Sequence, residues 1–306
     1  MRSRSPIIIM YSEIASNKRR SIILMMVFIA VIIGLGYVFS RAQGDTSYAG
    51  VWFAILFSLF STSISYFHGD KIALWTSGAR PITSEENKYV YRLVENLCIS
   101  TGMPVPKIYL IDDPAINAFA TGRKPELAST AITTGAIQKL KNEELEGVIS
   151  HELSHVKNYD IRFMMLVAVL VGAISIMAQI FLRSQLMFGG RHRDREGGGQ
   201  LGAIFMVVGV VLAILSPIIA ELVKLAISRR REFLADATGS LATRFPEGLA
   251  NALEKIKAEN LPLQRASSAT APLFFANPFR SNSFFNLFST HPPIDERIKR
   301  LREMGM

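Results

Sequence analysis

Two short runs of residues carry the chemistry that this chain could perform. The first is Val148–Arg162, VISHELSHVKNYDIR, in which His151 and His155 stand four apart with Glu152 directly after the first histidine. Positions four apart share one face of a helix. Two neutral imidazoles there can hold Zn²⁺ while the adjacent carboxylate reaches an attacking water. The helix is predicted by Asn142, a capping residue type, and by Glu143 and Glu144 in its first turn. A catalytic zinc also needs a third protein ligand and an open position. The HExxHxxGxxH pattern does not supply it, because Asn158 and Ile161 stand where its glycine and third histidine would be. The second run, Ser228–Asp236 (SRRREFLAD), places Glu232 and Asp236 four apart. One helical face can then present Glu232 as third ligand and Asp236 as acceptor for the free ring N–H of a ligand histidine. The alternative is a solvated helix with two incidental histidines. Only five histidines occur in 306 residues, so two in this register weigh toward metal.

The elements that must position these residues are written in the composition. The chain is 49% hydrophobic and only 19% charged, with a mean hydropathy of +0.26. A soluble domain carries about 25% charged residues, so the balance leans toward a membrane and excludes a disordered or collagen-like chain. Four apolar stretches have the length of a bilayer crossing: Ile22–Phe39, Ala49–Phe67, Phe163–Leu182 and Leu201–Ala220. The first is longer than a signal peptide's apolar region and reads as a retained anchor. Arg2, Arg4, Lys18, Arg19 and Arg20 precede it, which predicts a cytoplasmic N-terminus, an external loop at Arg41–Tyr48 and a return near His68. By length the last two stretches form a second hairpin, the alternative being helices that lie partly in the protein. Arg183, Arg191, Arg193 and Arg195 between them run against the charge rule, but Lys157, Arg162 and Arg229–Arg231 on the other side are comparably basic, so the rule does not decide. The expected organisation is an N-terminal segment and first hairpin (1–68), a cytoplasmic catalytic region (69–162), a second hydrophobic hairpin (163–220) and a C-terminal catalytic region (221–306).

Formal charge is +9. No basic module interleaved with aromatics accompanies it, so nucleic acid is not an expected partner. The single cysteine, Cys98, excludes an intramolecular disulfide and a multi-cysteine zinc site. It falls in a predicted amphipathic helix, NKYVYRLVENLCIST, as a small buried hydrophobe.

HELSH followed, after two hydrophobic segments, by EFLAD resembles the membrane-bound zinc metalloproteases that combine HExxH with ExxxD. These are the HtpX-type proteases and the related CAAX prenyl endopeptidases of the Ste24 type. Four hydrophobic stretches in 306 residues fit the smaller, HtpX-type arrangement better, and the likeness covers about residues 18–303. It implies one zinc ion per chain and a multi-pass protein of the cell (inner, cytoplasmic) membrane with its site facing the cytoplasm. The implied activity is an endopeptidase acting on misfolded or damaged membrane proteins, a quality-control role. The resemblance also implies that a sheet edge beside the catalytic helix holds the peptide through backbone hydrogen bonds. The residues concerned are Asn117, Ala118, Phe119 and Ala120 in NAFATGR, and Thr130 and Ile132 in the following STAITTG. A late His-Pro motif, THPPIDER, matches His291 and Arg297, which would donate to the tetrahedral oxyanion.

The expected fold is an α-rich integral membrane protein, transmembrane helices joined to a zincin-like α+β catalytic domain with a small sheet around 107–135. Lys107–Asp112 is the clearest strand, Pro246–Ala258 a further helix, and 262–290 a long loop over the groove. Partners are polypeptides, membrane proteins among them, and the lipid bilayer; oligomeric state is left open. An intramembrane protease would bury its motif in an apolar span, whereas this one follows the charged LKNEELEG. A scaffold with a structural zinc would tolerate loss of Glu152, which is not a ligand.

Overall fold

Two long helices open the chain and are followed by a small sheet wrapped in shorter helices. The computed structural model describes residues 6–42, 46–172, 174, 229–266, 270–279 and 292–305. Helices α1 (Pro6–Ala42) and α2 (Ala49–Thr76) pair as a hairpin. Within them, Ile14–Tyr37 and Ala49–Thr76 are long and apolar enough to cross a bilayer, with hydropathies of 2.2 and 1.5. Their outer faces leave Phe53, Leu56 and Phe60 about two-thirds exposed. A soluble protein rarely presents so continuous an apolar face to water, whereas lipid accepts it. The inner face packs Leu24, Phe28 and Ile32 of α1 and Ala54 of α2 against Phe163, Leu166 and Leu170. Those last residues belong to α6, helical over 160–172. The third apolar stretch therefore begins as a helix beside the hairpin; its remainder and the fourth stretch lie outside the described residues, as does the hairpin expected of them.

Only Ser77 and Gly78 separate α2 from β1 (Ala79–Pro81). Gly78 has φ +69°, a left-handed conformation that glycine adopts without strain and that reverses the chain directly from helix into sheet. There follow α3 (Lys88–Thr101), β2 (Lys107–Ile111), β3 (Ala118–Thr121), β4 (Ser129–Thr133) and α4 (Thr134–Lys139). The sheet order is β1-β2-β4-β3. β2 and β4 run parallel with Lys107 opposite Ser129, while β3 is antiparallel to β4 with Ala118 opposite Ile132. β1 was not expected; it is three residues long and ends in Pro81, a residue that an edge strand tolerates.

Helix α5 (Asn142–Lys157) lies against the sheet and is buried along most of its length. Asn142 is its first residue rather than its cap. The backbone N–H of Lys141 is bonded instead to the Glu144 carboxylate at 2.7 Å, and Asn142 bonds Glu146. The remaining helices are α7 (Arg229–Thr243), α8 (Pro246–Glu259, with Pro246 in its first turn as expected) and α9 (Ile294–Met304). Val90, Leu93 and Cys98 of α3, Ile108 and Ile132 of the sheet, Leu145, Ile149 and Leu153 of α5, Leu249 and Leu253 of α8 and Leu301 of α9 form one core. Burying such side chains is worth about 1.5–3 kcal/mol each, so this core fixes the catalytic helix from below. The segment expected as a loop over the groove is in part a core element: Phe274 and Phe275 are buried, and the Phe275 N–H bonds the Ala118 carbonyl at 2.8 Å.

Candidate active site

The face of α5 that carries His151, Glu152 and His155 is covered by α7, and the crossing is unusually close. A Cβ on Gly239 would lie 3.0 Å from the His151 backbone nitrogen, so any larger residue would press the two helices apart by a few tenths of an ångström, and the Ser150 hydroxyl bonds the Gly239 carbonyl at 3.0 Å. This contact brings Asp236, about one turn earlier, and Glu232, about two turns earlier, onto the histidine face. All five side chains are buried.

Their ligand atoms form a triangle. His151 Nε2 and His155 Nε2 are 3.1 Å apart, His151 Nε2 and Glu232 Oε2 3.8 Å, and His155 Nε2 and Glu232 Oε1 3.5 Å. A tetrahedral ion bound at about 2.1 Å has ligand atoms about 3.4 Å apart, a spacing near that of the two nitrogens and of each nitrogen to its nearer Glu232 oxygen. Two imidazole nitrogens and a carboxylate oxygen, buried and mutually within 4.8 Å, are a donor set that fits a divalent metal. Glu152 stands beside it, its Oε2 accepting from the Ala120 N–H of β3 at 2.8 Å.

Each histidine is oriented through its other nitrogen. His151 Nδ1 lies 2.8 Å from Asp236 Oδ1. Asp236 is gripped in turn by Arg297, through Nε at 2.9 Å and Nη2 at 2.7 Å. Arg297 also donates Nη1 to the Phe275 carbonyl, and Phe275 sets its ring 5.0 Å from that of His151. The sequence placed Arg297 among donors to an oxyanion; in the structure its guanidinium is bonded to Asp236 and to the Phe275 carbonyl. His155 Nδ1 lies 3.1 Å from Asp160 Oδ2, a carboxylate that sequence reasoning missed. Its only signal was an acid five residues beyond the second histidine. His291 lies outside the described residues.

Two further expectations are corrected. Thr130 and Ile132 sit on β4, an inner strand bonded to β2 on one side and β3 on the other, so their backbones cannot receive a peptide. Asn117, Ala118, Phe119 and Ala120 do lie at the sheet edge, but the chain's own segment pairs there. Beside the Phe275 bond to Ala118, the Asn117 side chain bonds both the carbonyl and the N–H of Ala276, at 3.0 and 3.2 Å.

The charges follow from burial and partners. Burial pushes the Glu152 carboxyl up to about 8, with Glu232 adding to it against the pull of His155 and the Ala120 amide. Burial would also raise Asp236, but Arg297 and His151 hold it down at about 2. Burial lowers His151 to about 4 despite Asp236. Burial acts downward on His155 too, yet the Asp160 hydrogen bond and the Glu232 charge lift it to about 9. Metal-free His155 is thus an imidazolium at neutral pH, and an incoming metal must displace its proton. Metal affinity is expected to rise with pH up to about 9, by as much as about tenfold per unit, with about one proton released per ion bound. Calorimetric titration in buffers of different ionisation enthalpy reads that proton; an affinity flat between pH 6 and 8 would contradict this assignment.

The chain is similar to proteins already known. The sequence profile described as peptidase family M48 matches residues 84–305. The protein named protease HtpX homolog from Tropheryma whipplei (strain Twist) is 45% identical over 296 residues, covering 97% of this chain and 99% of its own length. One of the same name from Dictyoglomus turgidum is 43% identical over 297 residues, covering 96% and 95%. Among solved structures, Ste24p of S. mikatae aligns with a TM-score of 0.49 at 16% identity, over 95% of this chain and 67% of that one. Likeness of this extent, on a chain with two apolar helices and a buried His-His-Glu cluster, settles the family: the protein belongs to peptidase family M48 and is a membrane-associated metalloprotease.

Proposed function

We propose that this chain is a zinc-dependent endopeptidase that cuts misfolded or damaged membrane proteins, anchored by several spans in the inner membrane with its site on the cytoplasmic side. The observation that carries it is the buried triangle of His151, His155 and Glu232 with Glu152 against it. Two nitrogens and one oxygen at this spacing suit zinc, which when bound supplies Lewis acidity to the scissile carbonyl and acidifies water.

The other steps belong to the protein. Glu152 is the general base: its carboxylate takes a proton from the attacking water and returns it to the leaving amine. An acid lifted toward neutral pH by burial suits both transfers. The Ala120 N–H fixes where that carboxylate points. Asp236 and Asp160 hold His151 and His155 with Nε2 turned inward. His291 is proposed as the oxyanion donor, and the cytoplasmic catalytic region is assembled from both sides of the 163–220 segment. The basic residues before Ile22 support this orientation.

The test is cleavage of an unfolded protein by the full chain in detergent, stripped of metal and then reloaded with one equivalent of zinc. Cleavage should vanish on stripping and return on reloading. A protein that holds one zinc per chain and cuts neither unfolded nor membrane-inserted substrates would overturn the proposal.

A further inference from the structure

We propose that Asn17, on the polar start of the first membrane helix, is a positioning residue of the metal centre, acting through Asp160 on His155. The inference rests on the reading of His155 as a metal ligand and adds to it a contribution from an element otherwise seen only as an anchor. Helix α5 ends at Lys157, and Tyr159 adopts φ +60°, a left-handed conformation that a tyrosine keeps only where its surroundings impose it. That reversal turns Asp160 back toward the helix it has just left, so that Oδ2 meets His155 Nδ1.

Asn17 holds the reversal in place. Its side-chain amide has two N–H groups, and both are used: one bonds the Asn158 carbonyl at 3.0 Å, the other Asp160 Oδ1 at 2.6 Å. The next residue of α1, Lys18, sets its ammonium 4.3 Å from the centre of the Tyr159 ring. All three residues of the turn are therefore touched by α1. Among the described residues, Arg231 also approaches Asp160 Oδ1, at 3.6 Å, beyond hydrogen-bond distance. The bond from Asn17 thus restrains the carboxylate on the side away from His155. Asn17 is wholly buried, as is Asp160. Burying an amide costs free energy, which the two N–H bonds here offset in part, the Asn17 Oδ1 having no partner among the described residues. Asn17 also lies outside residues 84–305, the part matched by the family profile.

The experiment uses the full chain in detergent, with Glu152→Gln introduced to prevent self-cleavage. Zinc affinity is read by competition with a chromophoric chelator, and ligand geometry by the visible absorption of the cobalt-loaded protein. Losing an outer-shell partner of a metal ligand typically costs 10–100-fold in affinity, so Asn17→Leu is expected to weaken zinc by about 10-fold and to shift the cobalt band. Asn17→Ser, too short to reach Asp160, should do the same if the leucine variant does not fold. Asp160→Asn should weaken zinc at least as much, and adding Asn17→Leu to it should cost little more, since both act on one bond. A folded Asn17 variant with unchanged affinity and cobalt band, even at a lower Tm, overturns the proposal, as do losses that simply add. If the parent protein takes up no zinc at all, the reading of His155 as a ligand falls, and this inference with it.

Discussion

Replacing Glu152 by Gln is expected to leave one zinc per chain in place and to reduce cleavage by about 10²–10⁴-fold, the usual worth of a general acid–base group. Glutamine has the same shape, and its carbonyl oxygen can still accept from the Ala120 N–H, so the groove keeps its form. It cannot take a proton from water. Stability should move the other way in the metal-free protein. The Glu152 carboxyl is lifted from 4.5 to about 8 on folding, so the native state binds a proton that the unfolded state releases. That difference erodes native stability as pH rises from about 4.5 to about 8. The variant, with nothing to titrate, should melt no lower than wild type at pH 7, and the gap should shrink toward pH 5. Zinc content, turnover and Tm at the two pH values measure all of this on one pair of proteins. A variant that cuts at the wild-type rate would leave the site a structural one.

The second large effect is expected at Arg297. It is buried, forms two bonds to Asp236 and stacks its guanidinium 4.8 Å from the centre of the Phe275 ring. Arg297→Met removes one partner of a buried ion pair and strands the other, which costs about 3–5 kcal/mol. Asp236 then no longer holds His151 firmly, so zinc affinity should fall by about 10–100-fold as well. Arg297→Lys should rescue little, because one ammonium cannot reproduce the planar two-bond grip. A donor to the oxyanion would behave differently: its loss would spare zinc and stability and lower kcat alone. Denaturant unfolding together with a zinc titration separates the two roles.

What was legible in the sequence is what repeats with the period of a helix. His151 with His155, and Glu232 with Asp236, each declare a shared face, and in the structure the two faces lie against each other. Asp160 was hidden because the period stops before it: the helix ends, Tyr159 reverses the chain, and a residue five positions on returns to the site. Arg297 was visible as a residue but not in direction, since its distance from His291 in sequence says nothing of Asp236, which comes from another helix. Thr130 and Ile132 were misplaced because β-branched alternation marks a strand without saying whether that strand is inner or edge. Gly239 gave no signal by itself; its importance is the missing Cβ at the crossing of α5 and α7. The pairing of Phe274–Ala276 with β3 has no period at all, and a Phe-, Ser- and Pro-rich run reads as loop until the edge that it covers is seen.

The two-residue link between α2 and β1 has a mechanical consequence. Ala73 and Leu74, at the end of α2, are buried in one cluster with Ile111, Phe119 and Phe274 of the catalytic platform, so no slack separates the two bodies. In the membrane-spanning arrangement proposed above, a hydrophobic stretch accommodates a thinner or thicker bilayer by changing its tilt. A flexible tether would absorb such a tilt. Here the short link and the shared cluster would pass such a tilt on to the sheet.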